Sequence, residues 1–169
     1  MNKRSDKKAQ LKLSFGMIFS IILILIFLAF AFYAIQKLLS VKNSVDRGQL
    51  VTNIQNDVDK MWKSSEGSQK VEYNFPSGVE KLCFTNFKSP ATGQNSALYR
   101  DLDTEYTGKE NLFFYPIQSS NILNSKDISH IDLAKITQGQ NPFCIDNING
   151  KISLTIKKDF NEALVTITK

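Results

Sequence analysis

The chain is poor in the residues from which most active sites are built. Its 169 residues include one histidine, His130, one tryptophan and two cysteines, Cys83 and Cys144. No Cys-x-x-Cys occurs, which argues against thiol redox catalysis. One histidine and two cysteines complete no zinc site of known spacing, and neither a glycine-rich phosphate loop nor a Gly-x-Ser-x-Gly elbow is present. His130, in the polar stretch Ser129-His130-Ile131-Asp132, therefore reads as a solvated loop residue. Asp101, Asp103 and Glu105 imitate the start of a calcium loop, but Tyr106 stands where that loop needs glycine and Leu112 where it needs a bidentate acid. A solvated acidic loop is the default. No Asn-x-Ser/Thr sequon occurs, so no N-linked glycan is expected. These gaps lead to the expectation of a non-enzyme, with no catalytic residue, no cofactor and no metal.

Charge is missing from one long stretch. From Phe15 to Ile35 the sequence reads FGMIFSIILILIFLAFAFYAI without an ionisable acid or base. As a helix this run is about 31 Å long, the thickness of a bilayer's hydrocarbon core. A single segment in lipid can satisfy its backbone only as a helix. The formal charge of +5 and pI of 9.1 are concentrated just before it, where Lys3, Arg4, Lys7, Lys8 and Lys12 face only Asp6. The basic balance thus marks a membrane flank, and no nucleic-acid partner is expected. Lys37, Lys42 and Arg47 follow the run, so the lysine and arginine bias favours a cytoplasmic N-terminus. Tyr33, Gln36 and Lys37 suit the far interface. The rival reading is a cleavable secretory signal ending at Ala29-Phe30-Ala31, yet Phe32-Tyr33-Ala34-Ile35 continues the apolar run where a cleaved signal turns polar.

The order is then a basic leader over 1–12, a transmembrane helix over 13–39, an amphipathic stalk over 40–63 and an extracytoplasmic domain over 64–169. In the stalk, Val41, Val45, Val51, Ile54, Val58, Met61 and Trp62 recur at helical spacings, with Asp46, Asn53, Asp57 and Lys60 on other faces. A helix from Ser14 to Trp62 would be about 73 Å long. Its apolar stripe needs a cover, and the chain's own sheet is a better candidate than a second copy. Ser64-Ser65-Glu66-Gly67-Ser68 ends the helix.

From Lys70 the pattern turns to short β runs. Val71 to Phe75, Pro76-Ser77-Gly78 and Val79 to Phe87 read as a hairpin. Asn111 to Tyr115 is a further run, ended by Pro116. Phe143 to Ile148, Asn149-Gly150, Lys151 to Lys157, Asp159 to Glu162 and Ala163 to Thr168 read as strand, turn, strand, turn, strand. Ile152, Leu154 and Ile156 alternate with Ser153, Thr155 and Lys157, the mark of an antiparallel sheet with one wet face. Residues 88–110 and 118–141 read as polar connections, the first with a helical turn around Leu98, Tyr99 and Leu102. The fold class is α+β, a long N-terminal transmembrane and amphipathic helix followed by a small antiparallel β-sheet domain. Cys83 and Cys144 fall within strands in the oxidising compartment, and a bond between them is expected.

The junction before the span reads Lys7-Lys8-Ala9-Gln10-Leu11-Lys12-Leu13-Ser14-Phe15. It resembles the class III signal of archaeal type IV pilin-like proteins, in which a membrane peptidase cuts after a small residue on the cytoplasmic face and leaves the hydrophobic helix as the assembly domain. The resemblance covers about 30 residues and implies cleavage between Ala9 and Gln10. It departs from the family at Ser14, where glutamate is usual, and at Lys12, which adds a charge to any helical bundle. Both departures weigh against a main filament subunit. The expected function is that of a minor pilin-like subunit for surface assembly or adhesion. Its partners would be the lipid bilayer and either pilin-like subunits or an envelope protein. The alternative is an uncleaved membrane-anchored binding domain of an envelope complex, and a third, least favoured, is an external hydrolase.

Overall fold

The structure, a computed structural model, describes residues 15–117 and 123–169. The proposed leader and its Ala9-Gln10 junction lie outside the described residues. The chain divides into two units, Met1–Leu39 and Ser40–Lys169.

In the first unit, residues from Phe15 onward form the opening of helix α1 (Phe15–Lys63). Every side chain from Phe15 to Leu39 is exposed. The large apolar ones range from 40% exposed at Leu23 to 84% at Phe15. The Ser20 hydroxyl donates to the Gly16 carbonyl at 2.8 Å, so this polar group is satisfied within the helix. Among the described residues α1 is the helix long and apolar enough to cross a membrane. A belt of exposed isoleucine, leucine and phenylalanine this size is stable only in an apolar surrounding.

The second unit begins with the rest of α1, which runs through Gly48 without a break. This part buries one face: Arg47, Leu50, Val51, Ile54 and Val58. Val41 and Val45, placed on the same stripe by the sequence pattern, are instead 58% and 59% exposed. Val45 precedes Ile54 by nine positions, about 180° around the helix, and so points away from the core. Ser64 closes α1 by donating its backbone N–H and hydroxyl to the Met61 carbonyl.

Two antiparallel sheets follow where the sequence pattern implied one. In the first, β1 (Gly67–Asn74), β6 (Lys151–Lys158) and β7 (Thr166–Thr168) are ordered β1-β6-β7. In the second, β2 (Lys81–Phe84), β3 (Leu112–Tyr115), β4 (Ser125–Lys126) and β5 (Phe143–Asp146) are ordered β4-β3-β2-β5. The expected hairpin about Pro76-Ser77-Gly78 is therefore a corner between sheets. Phe75 donates to Gly150 in the first sheet, whereas Glu80 donates to Tyr115 in the second. Side-chain pattern explains the parting. β1 alternates buried and exposed residues over Val71 to Asn74, as a strand with one wet face must, while Leu82-Cys83-Phe84 is buried throughout, as a strand covered on both faces must be.

Asn149-Gly150 does form a tight turn, with φ of 54° and 78°. The strands it joins still diverge into different sheets, held at the turn by the Ile148–Lys151 bridge. The last strand is shorter than expected because Val165 pairs instead with His130 and Asp132. The connection over 118–141 is less polar than it reads: its described part carries β4 and α3 (Leu133–Ile136) and buries Ile128, Ile131 and Ile136. The helical turn in the other connection is present as a 3-10 turn, Ser96–Leu98, leading into α2 (Tyr99–Asp103).

The main core joins the buried face of α1 to Val71, Tyr73, Ile152, Leu154 and Ile156 of the first sheet and Leu82, Phe84, Phe114 and Ile145 of the second. A smaller cluster lies on the opposite face of the second sheet, where Cys83, Phe113 and Cys144 meet Leu102 of α2.

Candidate functional site

The cysteines are bonded. Cys83 and Cys144 stand directly opposite one another on β2 and β5, their Cα atoms 4.0 Å apart. Both are fully buried under α2. No free cysteine remains, so the pair acts as a crosslink between neighbouring strands.

His130 is not a solvated loop residue. Its Nδ1 lies 2.9 Å from Asp59 Oδ1 on α1, and its ring stacks on Trp62 with centroids 3.8 Å apart and planes 5° from parallel. Gln55 completes the contact, accepting from the Ser129 N–H and donating to Asp59. Trp62 Nε1 donates to the Ala163 carbonyl at 3.0 Å, and Lys158 Nζ donates to the Trp62 and Ser64 carbonyls. The C-terminal turns of α1 are thus tied to the loop before α3 and to the β6–β7 connection. His130 holds a left-handed backbone, φ 65°, that its local sequence does not announce.

Arg47 is fully buried. Nη1 donates to the Leu123 carbonyl at 2.9 Å and to Asn124 Oδ1 at 3.0 Å, and the guanidinium lies 5.2 Å from the Phe114 ring centre. Among the described residues, Nε and Nη2 find no hydrogen-bond partner. Burial pushes the guanidinium pKa down, since desolvation disfavours its charged form. Arginine at a core position of an amphipathic helix is not expected from its type, and nothing in the sequence marked it.

Three carboxylates titrate below their usual range. Glu110 accepts from the Thr107 hydroxyl and from the backbone N–H groups of Thr107 and Lys109, which holds it at about 2. The hydrogen bond from His130 lowers Asp59, and that from Lys81 lowers Asp146. A carboxylate lowered by folding contributes stability that is present above its unfolded pKa and is lost as pH falls toward its folded value. The urea midpoint should therefore be flat above about pH 5 and fall between about pH 4 and 2. Glu110→Gln should shallow that fall. A midpoint unchanged across the acid range contradicts these assignments.

Asp101 and Asp103 are exposed along α2, and among the described residues no group of three or more histidine, cysteine or acidic side chains converges to hold a metal ion. A cleft of about 480 Å³ lies between α1 and the end of β1, bordered by Lys42, Asp46, Gln49, Asn53, Glu72 and Asn74. Its two acids share no hydrogen bond, because Glu72 is bound to Lys151 Nζ at 2.6 Å. The cleft can present amide, ammonium and carboxylate groups to a ligand, but it holds no nucleophile–base pair.

Compared with known proteins, the chain matches no family model, no curated sequence and no solved structure.

Proposed function

We propose that this chain is a non-enzymatic, single-pass membrane protein. It would serve as a minor pilin-like subunit for surface assembly or adhesion, its N-terminus cytoplasmic and its C-terminal domain extracytoplasmic. The observation that carries this reading is one helix with two kinds of surface. From Phe15 to Ile35 it is apolar all round and exposed among the described residues, whereas from Ser40 to Lys63 it is one-sided and its apolar face forms part of a β domain's core. The first surface is what a bilayer demands of a spanning segment, and the second is how a helix presents a folded domain beyond it. The buried disulfide fits a domain kept in an oxidising compartment. The basic leader ahead of the apolar run supplies the orientation.

The second reading, an uncleaved anchored binding domain of an envelope complex, is favoured by the 480 Å³ cleft. Intact mass separates the two. A chain beginning at Gln10 supports pilin-type processing, and one beginning at Met1 supports the uncut anchor. Under either reading the chain should sediment with membranes, and protease added to intact cells should reach its C-terminal portion. Recovery in the aqueous fraction after lysis would overturn both.

A further inference from the structure

β1 forms one edge of its sheet, with β6 on one side and, among the described residues, no strand on the other. Its register with β6 runs from Gly67 opposite Lys158 to Asn74 opposite Lys151. One step further along that register, the Phe75 N–H donates to the Gly150 carbonyl at 2.8 Å. In an antiparallel ladder alternate residues bond to the same neighbour, so the odd-numbered residues of β1 face β6. The N–H and C=O groups of Ser68, Lys70, Glu72 and Asn74 therefore point outward along a free edge. The side chains of these four residues are exposed as well. The other sheet-edge strands, β7, β4 and β5, are three, two and four residues long against eight in β1. Helix α1 lies across the face of β1, with Asp57 bonded to the Tyr73 hydroxyl, and the cleft beside Glu72 and Asn74 leaves that end of the edge open.

A lone lysine guards an edge against pairing. Here Lys70 is followed two residues later by Glu72, and that spacing changes its effect under two-fold symmetry. We propose that β1 pairs antiparallel with β1 of a second copy of this chain, about an axis through Val71. That register sets Lys70 opposite the partner's Glu72, Glu72 opposite the partner's Lys70, and Ser68 opposite the partner's Asn74, with every outward backbone group satisfied. Centring the pair on Lys70 or Glu72 would put like charges face to face. Shifting it by one residue would set outward groups against inward ones. The product is a six-stranded sheet across an isologous contact.

The axis also fixes direction. Within the domain α1 runs antiparallel to β1: Asn43 bonds to Ser77, Asp57 to Tyr73, and Met61 lies at Gly67. A two-fold axis normal to the sheet reverses Ser40–Lys63 together with β1, so the two chains enter the contact at Ser40 from opposite ends. A contact between edges alone is small and individually weak, and many copies held together would act jointly; to that extent the inference rests on the assembly reading.

Charge reversal of the full chain in detergent micelles tests the pairing, with mass measured by sedimentation equilibrium. The native chain should form a dimer, Lys70→Glu and Glu72→Lys should each weaken it about tenfold or more, and K70E/E72K should restore it. Circular dichroism of each variant verifies folding, and both positions are exposed. A native chain that stays monomeric, or a dimer indifferent to the single reversals, overturns the proposal. If the chain sediments with membranes but is monomeric in micelles, the pairing falls and the anchor reading stands. If it is aqueous yet follows the reversal pattern, the anchor falls and the pairing stands.

Discussion

Replacing both cysteines, Cys83→Ala with Cys144→Ala, should lower the unfolding free energy of the C-terminal domain by about 4 kcal/mol. The bond closes a sequence separation of 61, which takes in most of the second and smaller core together with β3 and β4. Without it the unfolded chain regains the freedom to separate two strands distant in sequence, and this loop-closure term grows slowly with length. Packing adds only a little to the loss, because alanine at two adjacent buried positions leaves a small void beneath Leu102 and Phe113. Urea unfolding of the full chain in detergent, native against double variant, measures the difference. The native chain in reductant should approach the variant's midpoint. A change below about 1 kcal/mol would mean that the denatured chain already keeps β2 and β5 together.

The second large effect is expected at Arg47. Arg47→Ala should cost about 3–5 kcal/mol, since it empties a fully buried site of its longest side chain and removes the hydrogen bonds that the guanidinium gives to the Leu123 carbonyl and Asn124 Oδ1. Part of that cost is offset, because a buried guanidinium with two unbonded nitrogens carries a desolvation penalty of its own. Arg47→Met keeps most of the volume and removes the penalty, so it should cost only about 1–2 kcal/mol. The order of the two variants in urea unfolding decides whether the site needs the charge or only the bulk. A methionine variant as unstable as the alanine one would show that the hydrogen bonds to Leu123 and Asn124 dominate.

How far the chain could be read without its fold depended on what each signal measures. The apolar run and the helical spacing after it report local physics, and α1 is where they place it. The cysteine pair was legible because Leu82-Cys83-Phe84 and Phe143-Cys144-Ile145 are short apolar runs of the kind a strand buried on both faces needs. Partition into two sheets was not legible. Pro76-Ser77-Gly78 and Asn149-Gly150 carry turn chemistry, but turn chemistry does not say whether the two strands stay paired beyond the turn. Val41 and Val45 misled for a related reason: as apolar residues just after a membrane segment they continue its character, while the core face set by Arg47, Leu50 and Ile54 lies on another side of the helix. The tie of His130 to Asp59 and Trp62 links residues some seventy positions apart and depends on a left-handed backbone, so no local pattern foretells it. Among the candidate site's features, the bonded cysteines could be foreseen. The cleft and the free edge of β1 exist only once strand order is known.

Under the proposed membrane-anchored reading, the crosslink also matters when the domain is pulled away from its anchor. Mechanical load that peels the domain open from Ser40 or from Lys169 can pay out the chain only as far as Cys83 and Cys144. The loop they close, of sequence separation 61, stays closed, and about 210 Å of slack is withheld. Under traction the tether stops lengthening early, and β2 and β5 remain fastened while the strands outside the loop are drawn taut.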